Sequence, residues 1–153
     1  MKFFICLLVL NFSTSVAFAQ NTETCSSVNQ ASAVGTRCQT SKGFEFVRVE
    51  NGWSDKNGKT WYDEMKRDTN QYDSEKYCND SGKVLPSKGD FELVESHGIR
   101  EVFKDLNDRW FWSSSITPDH LDGAYYMDGR YGYVDFVSHE VRYDNHSARC
   151  VSR

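Results

Sequence analysis

Proline is scarce in this chain, with two residues in 153, and ten glycines are spread along it. With no Gln, Ser or Pro tract either, a collagen-like repeat, a Pro-rich linker and a disordered low-complexity tail are excluded. Positive charge is not in surplus: 18 Lys and Arg stand against 22 Asp and Glu, a formal net charge of −4. A domain that neutralises phosphates carries a basic excess, usually clustered, so nucleic acid is excluded as a partner. Beyond the first residues no apolar run approaches the ~18 residues of a bilayer-spanning helix. There is no CxxC pair and no GxSxG elbow, and His97, His120, His139 and His146 are scattered. These gaps argue against zinc and against a nucleophilic serine. What is present, 39% hydrophobic, 14% aromatic and 26% charged residues, fits one globular domain of ordinary size.

Residues 1–19 differ in texture from the rest. Lys2 precedes an apolar run from Phe3 to Leu10, then come polar Asn11 to Ser15 and Ala17-Phe18-Ala19. That is the layout of a secretory signal peptide with a small-x-small cleavage site. The run is too short for a retained span, and Cys6 lies too early for lipidation at the cleavage site. The expected location is therefore secreted or periplasmic, with no membrane span after cleavage. Of five Cys, Cys6 leaves with the signal, and Cys25, Cys38, Cys78 and Cys150 form an even set suited to an oxidising compartment. Three pairings are open on the residues alone.

Residues 20–43, rich in Ser, Thr and Asn, read as a disulfide-pinned extension across the domain edge rather than core. Residues 44–153 read as the folded domain. Phe44, Phe46, Val47 and Val49 nearly alternate with polar residues and end at Asn51-Gly52, a strand and turn. The turn signal around Gly58 precedes a short strand at Thr60-Trp61-Tyr62. Asp73 suits the N-cap of a two-turn helix through Cys78 that Gly82 stops. Ser87 and Asp90 are spaced as a capping box for a second helix to about Ser96, ended by Gly98. Ile99, Val102, Phe103 and Leu106 suggest a further helical or looped segment. Four short strands follow, around Trp110–Trp112, Ala124–Met127, Tyr133–Val137 and Ala148–Val151, and fit an antiparallel sheet. Asp128 to Gly132 joins the second and third as a hairpin.

The order of Trp61, Tyr77-Cys78, Gly82, Leu85-Pro86-Ser87, Phe111-Trp112-Ser113-Ser114-Ser115, Ala124-Tyr125-Tyr126 and Ala148-Arg149-Cys150-Val151 resembles a bacterial extracellular module. It is similar to the Fibrobacter succinogenes major paralogous domain and to the C-terminal domain of Legionella collagen-like adhesins, families placed in the C-type-lectin-like superfamily. The resemblance covers about Phe44 to Arg153. It implies an α+β, C-type-lectin-like fold with two short helices, small antiparallel sheets and long loops, stapled by disulfides. It also implies pairing of Cys78 with Cys150, which leaves Cys25 with Cys38. For function it implies non-catalytic recognition or adhesion, with binding of a glycan or an envelope component through a loop face. The alternative is a small structural or inhibitory envelope protein that binds a protein partner and no sugar.

The candidate binding surface is the stretch from Asp119 to Asn145, in particular Tyr126, Arg130, Tyr131, Arg142, Tyr143, Asp144 and Asn145. Aromatic faces stack on sugar rings, while amides, carboxylates and Arg forks bond hydroxyls or sulfates. Arg130, Tyr131, Arg142 and Asp144 are the four expected to be exposed. Calcium-dependent lectins use a Glu-Pro-Asn or Gln-Pro-Asp loop and a Trp-Asn-Asp strand, since a hard cation needs clustered oxygens. Thr117-Pro118-Asp119 and Tyr143-Asp144-Asn145 are the nearest echoes, and both depart, so no cofactor is expected and calcium is the minority alternative. His139, Glu140 and His146 are too dispersed for a transition-metal site. Ser113–Ser115, Trp53, Trp61 and Trp110 read as structural, and no catalytic residue is assigned. Oligomeric state stays open.

Overall fold

A computed structural model describes residues 22–118, 120–137 and 146–153. Strand β1 (Glu23–Thr24) pairs in parallel with β2 (Arg37–Gln39). Antiparallel pairings then join β2 to β3 (Glu45–Val49), β3 to β4 (Gly52–Asp55) and β4 to β5 (Thr60–Thr69). Helices α1 (Gln71–Asp80), α2 (Lys88–Ser96) and α3 (Ile99–Val102) follow, then a 3₁₀ turn at Lys104–Asp108. The chain closes with β6 (Trp110–Thr117), β7 (His120–Asp128), β8 (Tyr133–Val137) and β9 (His146–Val151).

These strands form one mixed sheet in the order β1-β2-β3-β4-β5-β9-β6-β7-β8. This corrects the expected C-type-lectin-like α+β fold of two short helices with small antiparallel sheets: the described residues hold far more strand than helix, with three short helices and a nine-stranded sheet. Two features account for the difference. Residues 63–68 are nearly all charged and look like a solvated loop, yet their backbone runs on as β5 and pairs with β9 from Trp61↔Val151 to Thr69↔His146. The strand expected to stop at Tyr62 is therefore ten residues long. Then β9, antiparallel to β5, also meets β6 in parallel at Phe111↔Ser147, and that contact joins two halves into one sheet.

Both disulfides form, Cys78 with Cys150 across α1 and β9, and Cys25 with Cys38 beside β1 and β2, at Cα separations of 5.5 and 4.8 Å. Such bonds persist in an oxidising environment. The N-terminal segment supplies the edge strand β1 and its neighbour β2, but it is not only edge. Cys25, Val28 and Cys38 are buried in the main core with Phe46, Trp53 and Trp61. A second cluster packs Trp112, Ala124, Tyr126 and Ala148 around the Cys78–Cys150 bond.

Two buried arginines link these parts. Arg48 donates to Gly52 O and Asp63 Oδ1, both at 2.9 Å, and to Gln30 O at 2.6 Å, tying the extension to the sheet. Arg149, fully buried on β9, donates to Tyr62 O at 2.6 Å and to Asp105 Oδ2 at 2.5 Å, and lies over the Phe103 ring. Each places a charge where apolar patterning alone would put an aliphatic residue, so each needs these partners to remain buried. No helix of the described residues is long and apolar enough to cross a membrane.

Candidate functional site

Strand alternation decides which aromatics reach the surface at β6, β7 and β8. Phe111 opposes Met127, which opposes Val134, and these face the main core. One residue earlier on β6, Trp110 opposes Asp128, which opposes Tyr133, on the other face of the sheet. Trp112, on that same face, is covered: its Nε1 donates to Thr69 O at 2.7 Å and its ring stacks on His146 at 4.2 Å. Trp110 is only partly covered. It is 38% exposed, whereas Trp53, Trp61 and Trp112 are at most 1% exposed.

Trp110 is also held in place. Its Nε1 donates to Asp128 Oδ2 at 2.8 Å, and Asp128 Oδ1 accepts the Arg130 amide at 2.9 Å. The Tyr126 ring lies 5.5 Å away and the His146 ring meets it edge-on at 5.0 Å. The Arg130 guanidinium sits 6.0 Å above the indole, within reach of a cation–π contact. At the β7–β8 turn Tyr131 stacks on Tyr133 with centroids 6.0 Å apart, and the two are 69% and 47% exposed.

The turn that carries Arg130 and Tyr131 is pinned from behind. Arg100 Nε donates to both carboxylate oxygens of the buried Glu95 at 3.0 Å, and its Nη1 reaches Gly129 O and Arg130 O at 3.3 Å. Glycine is required at two places here. A Cβ on Gly129 would run into the Leu106 carbonyl, and one on Gly132, which has φ +72, would collide with Glu95 and Arg100. Burial, with Asp135, Tyr133 and Asp128 adding to it, raises the Tyr126 hydroxyl above its ordinary value, so it stays protonated.

Beside Trp110 opens a pocket of about 200 Å³ lined by Asp68, Asp108, Arg109, Trp110, Arg130, His146 and Ser147. A larger groove of about 530 Å³, with Gln30, Arg67, Phe103 and Lys104 among its walls, has no exposed aromatic face, because Phe103 is buried. A further groove of about 450 Å³ carries the exposed ring of Tyr133 with Lys42 and Glu92; the exposed, hydrogen-bonded indole marks Trp110 as the candidate site. Among the described residues no group of three or more His, Cys, Asp or Glu is positioned to hold a metal ion.

Of the residues expected from the sequence, Arg130 and Tyr131 are exposed at this site. Tyr126 belongs to it as a wall packed on Trp110, mostly buried, and contributes no free stacking face. Arg142, Tyr143, Asp144 and Asn145 lie outside the described residues, as does Asp119. The sequence reading took Trp110 as packing and did not single out Asp68, Asp108 or Arg109; the fold brings all four to this pocket. The Trp-Phe-Trp alternation carried part of the signal, since an inward Phe111 sends both neighbours to the other face. No family model matches the chain and no curated protein matches it, so the resemblance to bacterial extracellular modules rests on the quoted motifs alone.

Proposed function

We propose that this protein is a non-catalytic recognition module, secreted or periplasmic, that binds a glycan or an envelope component through the face carrying Trp110, Arg130, Tyr131 and Tyr133. The observation that supports the reading best is the exposed, hydrogen-bonded indole of Trp110 beside a shallow polar pocket. An anchored indole offers a flat apolar face to the C–H side of a sugar ring at little cost in side-chain freedom. The surrounding carboxylates and guanidinium forks can bond hydroxyls around the same ring.

The test is binding of the disulfide-intact protein to an oligosaccharide array that includes peptidoglycan fragments, compared with Trp110→Ala and Arg130→Ala/Tyr131→Ala variants. Specific binding that falls at least tenfold in Trp110→Ala, about 1.4 kcal/mol, is the expected result. A folded protein that binds no member, or a Trp110→Ala variant that binds as well as the parent, sinks the reading.

The alternative reading is a protein partner and no sugar. Leu93, Ile116 and Phe136 are each about half exposed, and such side chains suit a flatter apolar contact. An affinity pull-down from envelope extract with Phe136→Asp as control separates this reading, which predicts a partner lost in that variant and retained in Trp110→Ala.

A further inference from the structure

Resting on the reading of the Trp110 face as a glycan site, we infer that its pocket takes an uncharged, hydroxyl-rich ring, a neutral hexose unit, in preference to an acidic, sulfated or amino sugar. The pocket walls carry two carboxylates, Asp68 and Asp108, and two guanidinium groups, Arg109 and Arg130. Among the described residues none of the four side chains makes a hydrogen bond or ion pair, and Arg130 has only its position over the Trp110 ring. Opposite charges around about 200 Å³ would ordinarily close on one another.

They stand on three separate segments of the chain. Asp68 sits in a register shift of β5 between Lys66 and Thr69, with φ +50, a left-handed conformation that Asp tolerates better than most residues. Arg109 leaves the 3₁₀ turn in an extended conformation, φ −138 and ψ 160. Backbone strain of this kind concentrates at binding sites, and Asp68, Asp108 and Arg130 hold their charged groups open to solvent there.

The balance of charge selects the ligand. Two negative and two positive groups leave these walls without net charge. A ligand carboxylate or sulfate drawn to the arginines meets two aspartates in the same small space, and an amine meets the reverse. A hydroxyl has no such conflict, because it donates to a carboxylate and accepts from a guanidinium at once. Adjacent hydroxyls of a hexose can serve Asp68 or Asp108 on one side and Arg109 or Arg130 on the other, with a ring face toward Trp110. The volume lies below the ~300–1,000 Å³ of drug-sized pockets, which suits one ring of a longer chain.

Trp110 provides the readout, since the other three Trp are buried. Intrinsic fluorescence would be followed while neutral tetrasaccharides of glucose and mannose are added, in parallel with uronic-acid, sulfated and amino-sugar tetramers, at 0.15 M salt. The expected result is a saturable shift with a neutral tetramer at least tenfold tighter than with its charged counterparts. The Asp68→Asn/Asp108→Asn variant should bind the neutral tetramer about tenfold more weakly and turn the preference toward the anionic tetramers. Asn also accepts a left-handed backbone, so this variant should keep its fold, with far-UV circular dichroism as the check. Tighter binding of an anionic or amino tetramer by the parent, or an unchanged preference in the variant, overturns the inference while leaving sugar recognition standing. No response from any tetramer, together with a blank array, overturns both.

Discussion

His97 shows how one side chain can carry a pH response. It is buried, its ring stacks on Phe44 at 3.9 Å, and it caps the C-terminal end of α2. Burial pulls its pKa below the ordinary value of 6.5, Lys56 and Lys42 push the same way, and Asp55 opposes them. The unfolded chain therefore takes up the proton first. Stability is full above pH 6.5 and declines as pH falls from there to the lowered folded value. Urea midpoints measured from pH 7.5 to 5 should drop in the parent and drop less in His97→Phe, which keeps a ring against Phe44. Equal slopes in the two proteins would show that His97 is not the group responsible. Trp110 teaches the complementary lesson: a lone Trp in a sequence says little, and its exposure follows from which neighbours cover it.

Helix α2 is the element whose ends were legible in the sequence. Ser87 Oγ accepts the Asp90 amide at 3.1 Å, and Asp90 returns a bond from the Ser87 amide at 2.9 Å. Burial pushes the Asp90 carboxyl up, but the Lys59 ammonium and the bonds from Ser87 more than offset it and hold the group below its usual range. Ser87→Ala should cost about 1 kcal/mol in urea denaturation, with the folded circular dichroism spectrum unchanged. A loss near zero would mean that Lys59 alone holds the turn. Helix α1 was less legible. Asp73, expected as its cap, lies in the first turn and gives its amide to the true cap, Asn70, at 2.8 Å. Asn and Asp serve equally well at that position, so spacing alone did not choose between them. Strand β5 was hidden for another reason, since its charged residues, with Asp63 paired to Arg48 and Lys66 over Tyr77, mimic a solvated loop.

For the whole molecule, the Cys78–Cys150 bond spans 72 residues and joins α1 to β9, an interior strand next to the middle of the sheet. Its loss in a Cys78→Ser/Cys150→Ser variant should lower stability by about 2–5 kcal/mol, read by thermal or urea unfolding. It should do so more than loss of Cys25–Cys38, which closes only 13 residues at the edge of the sheet. The reverse ranking would show that the edge disulfide, not the interior one, anchors the fold.

Local patterns in the chain determined the capping box of α2, the turns near Gly58 and Gly132, the positions of the later strands and an even set of cysteines for an oxidising environment. Each depends on neighbours a few residues away, where propensity and hydrogen bonding act directly. Tertiary structure alone decided that β9 lies between β5 and β6, that Arg149 is buried, and that Trp110 stays open beside Asp68, Asp108, Arg109 and Arg130. Those outcomes rest on pairings between segments far apart in the chain, and a strand's own alternation fixes its two faces without fixing what will cover either one.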